Sequence, residues 1–473
     1  MSQVVVVHSP DFHFDYYSII FNITDERQVL ILSDENNWSL PHFLPYEHHF
    51  GMVGHINKAM KAQLGLNVTT LRCFYEDYNM ETKTGCRVYA MENHSPHWTL
   101  PANARWVQFH ELDDLTFVNS KVRQVLKTWF TETDSDNIPV LRVPWAKIGW
   151  FDRTATWINL QLNSNGLCAF APIEQVKSQT RSCLLKVSTT DGKLYFKAVF
   201  GIFGKEPTLT DFLAQLYPNH LPKLLAVDTE QQWMLMWDFG GNLLSEVADI
   251  SQWEEALRLE AEIQIQAVHQ VDKLLDIGFP DRRIEQLASQ IKPLFADKSA
   301  LLVPQNDPIL SETEIETLSS LVPQLVARCN ELDGFGIPQT LIHGDFHCQN
   351  VVVTNERFIY FDWSDSAISH PFFDAGFFLH EITQEFPEVT DVQLRLRNAY
   401  LKPWTAFMPM EELITVFQKS QILATLYQAI VSYEITKNLE VSHRWETENA
   451  VPYYLKSLLT QIQGTSKVEF IDS

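Results

Sequence analysis

The chain has 473 residues, 45% of them hydrophobic and 20% charged, with a formal net charge of −23. This composition suits a soluble globular protein with room for two to four domains and argues against extended disorder. The acidic balance excludes wholesale binding to nucleic acid or to anionic membrane surfaces and weakly favours a cationic substrate. The six cysteines, Cys73, Cys86, Cys168, Cys183, Cys329 and Cys348, are scattered without a Cys-x-x-Cys pair. Reduced thiols in a cytoplasmic protein are therefore expected, not a zinc site or a disulfide framework. The opening MSQVVVVHSPDFHFD lacks the basic region of a signal peptide, and no apolar run is long enough to span a bilayer.

In chain order, Tyr17–Phe21 and Val29–Leu32 predict strands around a turn at Thr24–Arg27, followed by Trp38-Ser39-Leu40-Pro41. Val53, Ile56, Met60 and Leu64 recur at helical spacing and end at Gly65, a C-terminal cap. Cys86–Met91 and Arg105–Val107 predict further strands, with His110–Leu115 after them. His42, His48, His49 and His55 are irregularly spaced and short of nearby carboxylates, so they are expected on the surface or in loops, not as a metal cluster. The polar, acidic Thr131–Asn137 predicts a linker, with a boundary near Asp136.

Within Trp145–Leu162, the residues Trp150, Ala155, Trp157, Ile158 and Leu162 predict an amphipathic helix, then a turn at Asn163–Gly166. Ser182–Thr189 and Leu194–Phe200 predict strands joined by Thr190–Lys193, where Asp191-Gly192 is a strong hairpin signal. Lys197 stands among apolar neighbours in the second strand. It is either an edge residue or a lysine that meets the phosphates of a nucleotide. A helix starts near Glu206-Pro207, strands follow at Leu224–Val227 and Trp233–Met236, and Trp237-Asp238-Phe239-Gly240-Gly241 closes the strand-rich part. The rest is mainly helical. Helices are predicted at Trp253–Leu275 (with Leu257, Ala261, Ile265 and Val268 on one face), Asp281–Phe295, Glu312–Leu332 and Ala375–Glu385. Three more stretches run to about Gly464, and Thr465–Ser473 is a frayed tail.

One stretch in this helical part carries chemistry: LIHGDFHCQNVVVTNERFIYFDWSDSAISHPFFD, residues 341–374. Val351–Val353 and Phe358–Phe361 predict a tight hairpin through Thr354–Arg357, which returns Asp362 beside Asn350. Asp345 lies four intervening residues before Asn350. A loop aspartate that accepts a hydroxyl proton, with an Asn and a second Asp as oxygen ligands for Mg²⁺, is the layout that phosphoryl transfer needs. No Gly-x-Gly-x-x-Gly or Walker A motif is present.

These residues resemble the aminoglycoside phosphotransferase and choline kinase-like family, the small-molecule branch of the protein-kinase fold, over about Pro139–Gly464. That family writes His-Gly-Asp, then Asn, then Asp-Trp, as here. The resemblance implies that Asp345 is the catalytic base and that Asn350 and Asp362 hold Mg²⁺. It implies that Lys197 contacts the α- and β-phosphates, with Glu206 as its partner. The backbone of Met236 to Asp238 would meet the purine of ATP, with GTP as an alternative. His343 would hydrogen-bond backbone near Asp362, His347 would face the acceptor or the γ-phosphate, and Asp374 would brace the loop. The acceptor would be a small-molecule hydroxyl. A nucleotide-binding regulatory pseudo-kinase is the rival reading.

Residues 15–118 resemble a Nudix domain through Trp38-Ser39-Leu40-Pro41, Gly65-Leu66 and Trp106-Val107. The helix positions where that family carries Arg-Glu and Glu-Glu hold Lys58-Ala59 and Ala62-Gln63 instead, so no hydrolase activity is expected. Such a domain could bind a ligand or mediate association. The expected architecture is therefore α+β. A Nudix-like α/β/α domain (residues 1–135) precedes a bilobal protein-kinase-like fold with a small β-rich N-lobe (136–242) and a large helical C-lobe (243–473).

Overall fold

The computed structural model of the protein describes residues 13–22, 27–34, 37–79, 81–134, 138–302, 309–355, 357–379, 382–386 and 388–469. Residues 24–26 of the first predicted turn, the predicted boundary at Asp136, Glu356 and the last four residues of the tail fall outside them. Two compact units emerge, residues 1–200 with 233–235, and residues 201–232 with 236–473.

The first unit is strand-rich. Strands β1 (His13–Asn22), β2 (Gln28–Asp34), β3 (Asn37–Ser39), β5 (Val68–Asn79) and β6 (Thr84–Asn93) form one sheet in the order β3-β2-β1-β6-β5. Short strands β4 (His42–Phe43) and β7 (Ala104–Val107) pair with β1 and β2. β1 and β6 run parallel. Alternation along β1 sends Tyr17, Ile19 and Phe21 to one face, where they pack with Val122, Leu126, Trp129 and Phe130 of helix α2 (Ser120–Asp134). Tyr16 points the other way, toward His55 of helix α1 (Gly54–Leu64). Gly65 ends α1 in the left-handed conformation, with φ 71°.

Three expectations change here. β5 was not predicted, because two register irregularities, at Thr70/Arg72 and Cys73/Tyr75, break its alternation. The Thr-rich start of the predicted linker is the last turn of α2, where packing of its apolar face outweighs modest intrinsic propensity. His55 is buried among Tyr16, Phe43 and Tyr46, not placed on the surface.

The same unit continues through α3 (Trp150–Ser164) and strands β8 (Glu174–Ser178), β9 (Ser182–Thr189) and β10 (Gly192–Val199). β9 and β10 form the expected hairpin, and Lys197 stands opposite Leu184. A buried polar seam joins β8 to the first sheet. The Gln175 side chain accepts from Thr70 N (2.7 Å) and donates to Thr70 O (2.8 Å), and beside this seam, at the surface, Lys58 pairs with Glu174 at 3.1 Å.

The second unit is mostly helical. It begins with α4 (Glu206–Leu216), β11 (Leu224–Asp228), the end of β12 (Trp233–Trp237) and β13 (Asn242–Leu243). Helices α5 (Ile250–Ala267), α6 (Val271–Ile277), α7 (Ile284–Ala296), α8 (Lys298–Leu301), α9 (Glu312–Ser320) and α10 (Val322–Asp333) follow. The single helix predicted over 253–275 breaks at a 3-10 turn, Val268–Gln270. That predicted over 312–332 breaks at Leu321, where Pro323 opens the next helix. After four short strands come α11 (Phe372–Leu379), α12 (Ile382–Glu385), α13 (Val392–Trp404), the 28-residue α14 (Met410–Lys437) and α15 (Ala450–Glu469). The backbone at the start of the predicted frayed tail therefore continues a helix to Glu469.

The short strands frame the motif. β14 (Thr340–Ile342) pairs antiparallel with β17 (Ala367–Ser369), and β15 (Val351–Val353) with β16 (Phe358–Tyr360). The loop 343–350 leaves β14, and the turn 361–366 enters β17, so the two ladders hold loop and turn side by side. Among the described residues, no helix is long and apolar enough to cross a membrane.

Candidate active site

The loop 343–350 and the turn 361–366 are bonded to each other directly. Phe361 N donates to Asn350 O at 3.1 Å, and the buried His343 donates through Nε2 to Phe361 O at 3.0 Å. Burial pushes the His343 imidazole down to about 4, so it is neutral near physiological pH and carries its proton on Nε2. Asn350 Nδ2 donates to the backbone oxygen of Asp345 at 2.9 Å. That bond fixes the amide orientation and leaves Oδ1 as the atom able to meet a cation.

Asp362 adopts a left-handed backbone, φ 66° and ψ 57°. This conformation costs a non-glycine residue about 1–2 kcal/mol and persists where the surroundings impose it. Here β16, the Phe361 bonds and Ser364 Oγ, which donates to Asp362 Oδ1 at 3.0 Å, impose it. One carboxylate and one amide oxygen suit Mg²⁺, a hard ion that takes its other ligands from water and phosphate. Among the described residues, no group of three or more His, Cys, Asp or Glu is placed to hold a metal by itself.

Asp345 is partly exposed, with His347 Nε2 3.7 Å from its Oδ2. His347 Nδ1 accepts from Gln349 N at 3.2 Å, which assigns the proton of the neutral ring to Nε2, on the Asp345 side. The loop is braced from behind by Asp374, at the start of α11. Its carboxylate accepts from His343 N (2.7 Å), Gly344 N (2.9 Å) and Gln264 Nε2 (3.0 Å). Burial pushes Asp374 up to about 7, opposed by these donors. The second unit thus brings His343, Asp345, His347, Asn350, Asp362 and Asp374 together on a loop and a turn that are bonded to each other.

Glu206 is buried in the first turn of α4. Met236 is buried in β12, and Asp238 follows it, accepting from Gly240 N at 3.2 Å. Lys197 is buried on β10, in the first unit.

Four groups that sequence reasoning missed also hold the loop. Gln264 of α5 bonds Asp374, and Tyr400 of α13 donates to Gln264 Oε1 at 2.6 Å. Gln428 of α14 donates to Gly344 O at 3.1 Å. Arg282 reaches Asp365 O at 3.4 Å and pairs with Glu434 at 3.0 Å. None of the four carries a local sequence signal, because each reaches the site from an element distant in the chain.

Gly344 has φ 82°, and a Cβ there would lie 2.2 Å from Asp365 O. Gly344→Ala is therefore expected to destabilise the second unit by about 2–4 kcal/mol, read by urea denaturation. Unchanged stability would mean that loop and turn are less closely apposed.

Residues 206–408 match the model of a phosphotransferase enzyme family. A search of curated proteins finds no match. Among solved structures, a choline kinase from Cryptosporidium parvum Iowa II aligns at 14% identity over 69% of this chain and 93% of its own, with a TM-score of 0.46. A macrolide 2'-phosphotransferase from Brachybacterium faecium aligns at 14% identity over 63% and 98%, with a TM-score of 0.43. A Plasmodium vivax ethanolamine kinase aligns at 12% identity over 75% and 94%, with a TM-score of 0.42.

Proposed function

We propose that the protein is an ATP- and Mg²⁺-dependent phosphotransferase that phosphorylates a hydroxyl group of a small molecule. The observation that carries this reading is that Asp345 and Asn350 share a loop bonded to the turn that carries Asp362, inside the segment that matches a phosphotransferase family. Asp345 accepts the proton of the acceptor hydroxyl as its oxygen bonds to the γ-phosphorus, and the bond from that phosphorus to the β-γ bridging oxygen breaks to release ADP. Asn350 Oδ1 and the Asp362 carboxylate would hold Mg²⁺. When bound, that ion supplies charge neutralisation on the phosphate oxygens.

Lys197 is read as the lysine for the α- and β-phosphates, with Glu206 as its partner. The backbone of Met236 to Asp238 is read as the contact for the adenine of ATP, or the guanine of GTP. The domain limits proposed are 1–135, 136–242 and 243–473, and a cytoplasmic location follows from the scattered thiols. The test is ADP release by the full-length protein with Mg²⁺·ATP across a panel of small hydroxyl compounds. Acceptor-dependent release supports the reading, and its absence across the panel with both ATP and GTP counts against it.

The N-terminal part is read as a Nudix-like domain without hydrolase chemistry. A sheet with helices on both faces supports the fold, and Lys58, Ala59, Ala62 and Gln63 on α1 support the loss of metal binding. The full-length protein, with or without Lys58→Ala, is expected not to cleave nucleoside diphosphate-linked compounds into a nucleoside monophosphate and a phosphorylated remainder above background. Robust Mg²⁺-dependent cleavage of that diphosphate bond would overturn this reading.

A further inference from the structure

Behind the loop, α5 carries a second carboxyl group. Glu260 is fully buried, and neither of its carboxyl oxygens has a hydrogen-bond partner among the described residues. It lies one turn before Gln264, on the same helix face, and Gln264 is bonded to Asp374.

The titratable groups that feel Glu260 come from four other elements. They are Asp374 on α11, Tyr217 just after α4, Tyr360 on β16 and Tyr400 on α13. None is a cation. Tyr360 donates its hydroxyl proton to Ala256 O at 2.7 Å, and Tyr400 donates to Gln264 Oε1 and Pro371 O. Neither hydroxyl has a proton left for Glu260. Asp374 in turn faces Asp345 in the loop and Tyr427 on α14, beside Arg282.

An ionised Glu260 would be a buried anion with no donor and no counter-ion, near a second carboxylate. Burial first, and then the charge of Asp374, hold its proton on. Asp374 is the better-served member of the pair, with three donors, so it carries the negative charge and Glu260 stays neutral.

We propose that Glu260 is a positioning residue: its ionisation sets two like charges against each other behind the loop and loosens the hold of Asp374 on the backbone of His343 and Gly344. The consequence for turnover rests on the phosphotransferase reading, whereas the consequence for the loop does not. The direction is fixed by linkage. A folded-state proton affinity raised above that of the unfolded chain gives stability that is full below the ordinary glutamate value. That stability is lost as pH rises toward the folded value, so, wherever Asp374 keeps its charge, the loop is tighter with Glu260 protonated and loosens toward alkaline pH.

The test compares full-length wild type with Glu260→Gln, which keeps shape and removes the ionisation, between about pH 6 and pH 9. Two quantities are read at each pH: amide hydrogen exchange of the peptide spanning residues 341–350, and Mg²⁺·ATP-dependent ADP release. The exchange rate of wild type relative to Glu260→Gln is expected to rise at least about fivefold across the range, and the relative turnover of the variant to rise in parallel. Glu260→Leu, which removes the polar atoms as well, is expected to follow Glu260→Gln. Constant ratios across the range overturn the proposal, as does unfolding of both variants where wild type is folded. If wild type releases no ADP while exchange still diverges, the phosphotransferase reading fails and the coupling between Glu260 and the loop stands.

Discussion

Replacing Asp345 by Asn is expected to lower phosphoryl transfer by about 10²–10⁴-fold, the usual contribution of a positioned general base. The change keeps the side-chain volume. It also keeps the bond from Asn350 Nδ2, which is to the Asp345 backbone oxygen and not to its carboxylate. The loop should therefore retain its shape, and ATP affinity should stay within about twofold of wild type, because the base touches the acceptor and not the nucleotide. Single-turnover measurement with a working acceptor, beside ATP binding by calorimetry, separates these two quantities. A variant that keeps the wild-type rate would remove Asp345 from the base role. One that loses both rate and ATP binding would point to collapse of the loop.

Asp362→Ala should act on the other quantity. Asp362 is held in a left-handed backbone between β16 and Ser364, and it contributes the only carboxylate of the proposed pair. Without it, Asn350 alone faces the cation, and an amide oxygen does not offset the cost of partly dehydrating Mg²⁺. Mg²⁺-dependent nucleotide affinity is expected to fall by at least about 100-fold, whereas the fold loses little, because the left-handed strain is already present with Asp. Titration of ATP with and without Mg²⁺ reads this directly. Equal affinity in the variant and wild type would place the metal elsewhere.

The sequence made much of this assembly legible because its parts are local. Asp345, Asn350 and Asp362 fall within eighteen consecutive residues, and the hairpin that brings them together has a short polar turn between two apolar triplets. Gly65 and Asp191-Gly192 were legible for the same reason, since each specifies a turn by its own backbone freedom. What escaped comes from a distance. Gln264, Tyr400 and Gln428 reach the loop from helices that lie far from it in sequence, and each looks like an ordinary helix residue.

The buried stripe of α5 runs through Trp253, Ala256, Leu257, Glu260 and Gln264, with Ile265 only half-buried. Hydrophobic periodicity alone therefore selects a face displaced by one residue and leaves the two polar members of the stripe unread. In the first unit, the irregularities of β5 hide a strand that alternation would otherwise reveal. The seam at Gln175 joins segments more than a hundred residues apart, and no local pattern announces it.

The most direct measurement is the thermal shift produced by Mg²⁺·ATP on wild type and on Asp362→Ala. A nucleotide at about 100 times its Kd stabilises the folded state by about 2.7 kcal/mol, enough to raise the melting temperature measurably. The account predicts such a rise in wild type, dependent on Mg²⁺ and absent in the variant. A well-folded wild type that no Mg²⁺–nucleotide complex stabilises, with ATP or with GTP, would contradict it.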